Sequence, residues 1–180
     1  MYTDDQIIGI AKSLVSTAKR HLPPLPNSIA IRIEAVGDGT FVDTKIGCIA
    51  RGYTIIINRD WFTSTTSQDI KYLIWHEVRH IYQKNQIDRL FEHKQTHEKT
   101  EVLLRWQFEF SNYIPNTPSS EVAHFNQHIE IDAYAFALAM LFIYDANPDG
   151  SVDIALPSTI ESSVYDQAIQ LCYATLPPQC

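Results

Sequence analysis

Apolar residues recur along this chain with two different periods, and the change of period marks its elements. Ile7, Ile10, Ala11, Leu14 and Ala18 keep helical spacing behind Thr3-Asp4-Asp5-Gln6, a capping-box start, and predict a helix reaching about Arg20. His21 to Asn27 holds three prolines and reads as a connection. Ile29, Ile31, Ile33 and Ala35 then alternate with Ala30, Arg32 and Glu34, the pattern of a strand with one buried face. Gly37-Asp38-Gly39 makes a turn, and Thr44 to Arg51 and Tyr53 to Asn58 give two more β-rich runs parted by Gly52. From Ser67 the helical period returns in Ile70, Leu73, Ile74, Val78 and Ile81. Further helices are predicted from about Thr96 to Tyr113, from about Ser119 or Ser120 to Tyr144, and from about Thr159 to Ala174, with Pro115, Pro118, Pro148 and Pro157 punctuating the links. Helix, small sheet, then helices is an α+β order with the two kinds of element segregated.

Composition narrows the class. A chain of 180 residues fits one domain, residues 1–180, and can bury a core without disulfides. Hydrophobic content of 45% with 19% charged residues belongs to a globular protein. The net charge of -7 and the scattered lysines and arginines count against nucleic acid and against an anionic membrane surface. Cys48, Cys172 and Cys180 are odd in number and form no CxxC pair, which argues against a disulfide framework and a thiolate metal site. An acidic start, no signal-peptide pattern, and a longest apolar run, Ala133 to Tyr144, too short for a bilayer predict a cytoplasmic protein.

The most specific chemistry is His76-Glu77-Val78-Arg79-His80, an HExxH run inside the third predicted helix. Histidines four apart on a helix point the same way, so both imidazoles can reach one metal ion with Glu77 beside them. That is the core of a zinc-hydrolase site. The helical wheel sets His76 and His80 at one flank of the apolar stripe, at a cleft edge, with Glu77 nearer the centre of the stripe and Arg79 pointing away. A catalytic zinc usually takes three protein ligands and leaves a fourth position open. Glu130 offers the third: Ala133 and Ala137 follow it at i+3 and i+7, so the face carrying the carboxylate is lined by small residues that permit close helix approach.

With these motifs the chain resembles the zincin metallopeptidases, and within them the gluzincins, whose small intracellular and phage-associated members include the ImmA-like peptidases. Their third-ligand helix reads roughly Glu-x-x-Ala-Asn-x-Phe-Ala; here stand Glu130, Ala133, Phe136 and Ala137, with Tyr134 replacing the Asn. Other gluzincins read Glu-x-x-Ala-Asp, and aligning on Asp132 would put His128 at the ligand position. The small-residue and Phe spacing favours Glu130, with Asp132 as a supporting partner in either register. The resemblance implies a zincin-like fold with a small, mostly antiparallel sheet, and a run Tyr53–Asn58 that forms the edge strand beside the cleft, where a peptide or protein substrate adds through main-chain hydrogen bonds.

The expected activity is zinc-dependent hydrolysis of peptide (amide) bonds, with Glu77 as general base and His76, His80 and Glu130 as Zn2+ ligands. Tyr134, Tyr82 and His128 are the candidate donors to the oxyanion, and Gln83 is placed to orient a ligand imidazole. The alternative is a catalytically silent zincin-like module that binds a protein partner and keeps any metal structurally; hydrolysis of a non-peptide amide is a third reading. His93 and His97 form a second i, i+4 pair, but Lys94 stands where Glu is needed and the surrounding Glu92, Glu98 and Lys99 read as a solvated face. Phe136, Met140, Phe142 and Tyr144 read as core, as do Trp61, Trp75 and Trp106, which otherwise wall the cleft.

Overall fold

Thr3 caps the first helix, α1 (Asp4–Lys19), in the computed structural model, which describes residues 2–156 and 160–175. Its hydroxyl accepts from Gln6 N while Gln6 Oε1 accepts from Thr3 N at 2.8 Å, satisfying two donors that a helix start leaves without partners. Ile7, Ala11, Val15 and Ala18 bury one face. After the proline-containing connection come β1 (Ala30–Glu34), β2 (Cys48–Arg51) and β3 (Thr54–Asn58), then the four-residue α2 (Arg59–Phe62) and the long α3 (Ser67–Phe91). The chain closes with α4 (Thr100–Ser111), α5 (Glu121–Phe125), α6 (His128–Tyr144) and α7 (Glu161–Thr175). The fold is α+β.

The sheet is mixed, in the order β1-β3-β2, with β1 parallel and β2 antiparallel to β3. This corrects two expectations: the sheet is not mostly antiparallel, and the Tyr53–Asn58 run is its central strand. The cause lies in Ile55, Ile56 and Ile57, each at most 2% exposed. Three successive apolar residues send side chains to both faces, so a strand made of them needs cover on both sides and neighbours on both edges. β2, turned back from β3 at Gly52 with φ +58°, takes the edge beside α3 instead.

Asn58 fixes the segment that precedes β2. Its Oδ1 accepts from the first amides of α2 and its Nδ2 donates to the carbonyls of Asp43 and Ile46 at 2.9 and 3.0 Å. Gly47 lies flat under Trp61, whose ring carbons are 2.4 to 2.7 Å from where a Cβ would sit, so no larger residue fits.

α3 crosses the middle of the molecule, and every residue from Ile74 to Arg79 is buried. A helix covered on one face only would not show this; α6 packs along one side while α1, β2 and α4 take others. α6 is itself apolar nearly all round, as a helix enclosed by neighbours must be. Ala133 and Ala137 are fully buried. The predicted helix from Ser119 or Ser120 to Tyr144 is interrupted: Asn126 ends α5 and Gln127 starts α6. Gln127 holds the strap before α5 by accepting from Ile114 N at 3.0 Å and donating to Ile114 O at 3.1 Å. α4 begins at Thr100, four residues later than expected, and the Thr159 start of the last helix and Cys180 lie outside the described residues. No helix among the described residues is long and apolar enough to cross a membrane.

Candidate metal centre

His76 and His80 leave α3 on one face and Glu130 meets them from the first turn of α6. Their facing atoms form a triangle: His76 Nε2 to His80 Nε2 2.9 Å, His76 Nε2 to Glu130 Oε2 3.4 Å, His80 Nε2 to Glu130 Oε2 3.6 Å. Three donors about 2.0–2.2 Å from one tetrahedral ion would lie roughly 3.3–3.6 Å apart, so this triangle is already close to the size a metal requires. All three side chains are at most 10% exposed. Among the described residues this is the one group of three His, Cys, Asp or Glu arranged to hold a metal ion.

Of Glu130 and His128, Glu130 is the one brought to the two histidines. His128 is two residues away on the helix and points elsewhere; it is 57% exposed and its Nδ1 lies 2.7 Å from Glu109 Oε1. Glu109 Oε2 also accepts from Ile129 N, so this carboxylate from α4 serves as the cap that α6 lacks from its own sequence. Glu130 sits where the helix dipole favours a negative charge.

Behind the triangle lies a hydrogen-bonded support. Gln83 Oε1 is 2.8 Å from His80 Nδ1, and Gln83 Nε2 donates to Ile129 O at 2.9 Å and to Asp132 Oδ2 at 2.7 Å. Gln83 therefore orients His80, and Asp132 acts on that histidine through Gln83. Asp132 also receives both arms of Arg79, at 2.8 and 2.9 Å. Arg79, expected to point away from the protein, is 6% exposed and lies over the Tyr82 ring with Glu98 nearby. Its burial becomes tolerable because Asp132 neutralises it. His76 Nδ1 has no hydrogen-bond partner among the described residues.

Burial and mutual charge set the protonation pattern. Burial works against a proton on His80, yet the Glu130 carboxylate outweighs it and holds the pKa up at about 9. Burial and the neighbouring His80 push His76 down. Burial would raise Glu130, but His80 and His76 hold its carboxyl well below the usual range. Glu77, 7% exposed, is pushed up to about 7 by burial, with His80 pulling down, Glu130 pushing up and the Ala50 amide pulling down. That amide, on β2, donates to Glu77 Oε2 at 2.6 Å.

His76, His80, Glu130 and Glu77 line a cleft of about 740 Å³ that follows β2. This is within the size range of small-ligand and peptide sites. The histidines lie at its floor, deeper than the rim position expected of them, because α6 and the strap around Tyr113 and Ile114 rise beside them. Of the candidate oxyanion donors, Tyr134 lines the cleft, with its ring 4.3 Å from that of His76 and its hydroxyl without a hydrogen-bond partner among the described residues. Tyr82 donates to Glu98 at 3.0 Å and His128 faces Glu109, both outside the cleft. His93 and His97 are exposed and share no helix, since α3 ends at Phe91.

Two cleft residues escape the sequence reading. Tyr113 donates to Glu130 Oε1 at 3.0 Å, leaving Oε2 for the histidine side. His124 Nδ1 lies 2.9 Å from Ile114 O and its Nε2 lies 3.9 Å from Glu130 Oε2. Neither has a spacing that marks it. Both lie on the segment between α4 and the helix break at Asn126-Gln127, and the prolines at 115 and 118 are the local sequence hint of a strap there. No protein-family model, curated protein or solved structure matches this chain.

Proposed function

We propose that the chain is a zinc-dependent hydrolase of peptide (amide) bonds, of the zincin type and its gluzincin branch. The observation that carries this reading is the His76–His80–Glu130 triangle at a cleft floor with a buried carboxylate, Glu77, beside it. Two imidazoles and one carboxylate, with the fourth side open to a cleft, are a donor set that suits catalytic zinc; closed structural sites more often use four ligands with thiolates. Zinc held there would supply Lewis-acid polarisation of a carbonyl and would acidify a water.

The chain's own groups divide the remaining work. Glu77, with its pKa near 7, can take a proton from the attacking water and return it to the leaving amine, the matched acidity that general acid-base work needs. Tyr134 has a phenol free to donate to the oxygen on which charge develops. Gln83 keeps the proton of His80 on Nδ1, which turns the Nε2 lone pair toward the metal position. Tyr113 holds the second oxygen of Glu130. The outer edge of β2 offers main-chain groups for an extended substrate, the role first expected of Tyr53–Asn58.

The test is direct. The purified chain should carry about one zinc by elemental analysis and cut members of a peptide mixture. Glu77→Gln should keep the metal and lose cleavage, whereas His76→Ala should lose both. Cleavage that survives Glu77→Gln would remove the assigned base. Full zinc occupancy with no product from any amide substrate would favour the non-catalytic binding module.

A further inference from the structure

The charged residues lining the cleft separate by depth. Glu77 and Glu130 stand at the floor; the other charged lining residues are Lys45, Arg51 and Lys84, all cationic. In a chain with 21 acidic and 14 basic residues, a cleft drawn without regard to charge would carry an acidic rim. The floor carboxylates do not repel a ligand once a divalent ion offsets them. Lys84, one turn beyond His80 on α3, is neutralised by both oxygens of Asp88 at 2.8 and 2.9 Å. Lys45 and Arg51 are exposed, and neither side chain makes an ion pair or hydrogen bond among the described residues.

Their places relative to β2 give the cations meaning. Ala50 donates its amide to Glu77, so that amide faces the cleft and Ala50 marks the level of the site along the strand. Arg51 is the next residue, and Lys45 lies three positions before the strand begins. At ~3.3 Å per residue, the stretch from one to the other spans at most ~20 Å, the length of about six residues of extended peptide. A peptide along this edge would pass from one unpaired cation to the other with the site between them.

We propose that the cleft selects an extended peptide carrying carboxylate side chains on both sides of the site, one met by Arg51 and the other by Lys45. This rests on the peptide-hydrolase reading, which it supplies with a substrate class. Each contact is exposed, so its strength is modest and salt-sensitive, and selection comes from the pair acting together.

The test uses the full chain loaded with zinc and bearing Glu77→Gln, so that peptide binds without turnover. Two fluorescein-labelled ten-residue alanine-based peptides, one with two Glu six positions apart and one with two Lys there, are titrated by fluorescence anisotropy. At low salt the acidic peptide should bind about tenfold tighter, the preference should shrink to within about threefold at 500 mM salt, and Lys45→Glu with Arg51→Glu should reverse it. Equal affinities, or a preference unmoved by the double substitution, overturn the proposal. The wild-type chain is incubated with the same peptides and read by mass spectrometry. Binding preference without any cut would count against the hydrolase alone, and cutting indifferent to charge would count against the acidic-substrate assignment alone.

Discussion

Gln83 Oε1 sits 2.8 Å from His80 Nδ1, and the amide cannot be turned round, because its nitrogen already donates to Ile129 O and Asp132 Oδ2. The oxygen must therefore face the histidine, which fixes the imidazole tautomer with Nε2 free for a metal. Losing such a support typically lowers metal affinity 10- to 100-fold. Gln83→Ala should show a loss of that order by competition with a chromogenic chelator. Unchanged affinity would mean that packing alone holds the ring.

Asp132 has a second dependant in Arg79. Asp132→Ala leaves a guanidinium at 6% exposure with Glu98, at 3.6 Å, as its one remaining carboxylate among the described residues, and removing one partner of a buried pair typically costs about 3–5 kcal/mol. The Asp132 side chain is itself 18% exposed, which places the expected loss near 3 kcal/mol. Replacing both, as Arg79→Met with Asp132→Leu, should cost less than the single change. Urea unfolding of the metal-free proteins decides it, and a larger loss in the double variant would contradict the argument.

In the proposed metal site, ion and proton would compete for His80. Without metal its pKa is about 9, so at pH 7.5 the site carries a proton that an incoming ion must displace. Apparent affinity should rise about tenfold per pH unit from neutrality and flatten above pH 9, one proton being exchanged. Calorimetry in buffers of different ionisation enthalpy should find about one proton released at pH 7.5, and none would be a failure. The same raised pKa stabilises the metal-free fold below the unfolded histidine value of about 6.5, and this contribution fades as pH climbs through 9. Glu130, depressed in the fold, also stabilises it, but with the opposite pH dependence: its contribution is complete above the ordinary carboxylate value of 4.5 and is lost progressively as pH falls below it.

Local pattern carries much of this architecture into the sequence. α1 follows from apolar spacing and a capping box and α3 from apolar spacing, and the shared face of His76 and His80 follows from their four-residue spacing on one helix. Glu130 is visible through Ala133 and Ala137, because close helix contact demands small side chains. What stays hidden depends on residues far apart. The parallel pairing of β1 with β3 is a long-range choice, although Ile55-Ile56-Ile57 signals a strand covered on both faces. Arg79 looks solvent-directed on its own helix because its partner, Asp132, is 53 positions away. Tyr113 and His124 flank Ile114, Pro115 and the strap that Gln127 holds by a hydrogen-bonded clamp to Ile114, and such a clamp leaves no periodic trace.

Under the proposed hydrolysis, Tyr134 should separate chemistry from metal binding. Its ring packs 4.3 Å from His76 and stacks on Tyr72, while its hydroxyl lacks a partner among the described residues and lines the cleft. Removing only the hydroxyl keeps the ring, so Tyr134→Phe should fold normally and bind zinc within about twofold of wild type. If the phenol donates to the developing oxyanion, kcat should fall by about 10²–10³, the usual effect of losing one such donor, with KM nearly constant. A loss confined to KM would place the hydroxyl on the ground-state substrate instead. A loss of metal would assign the residue to the support of His76, whose Nδ1 has no hydrogen-bond partner among the described residues.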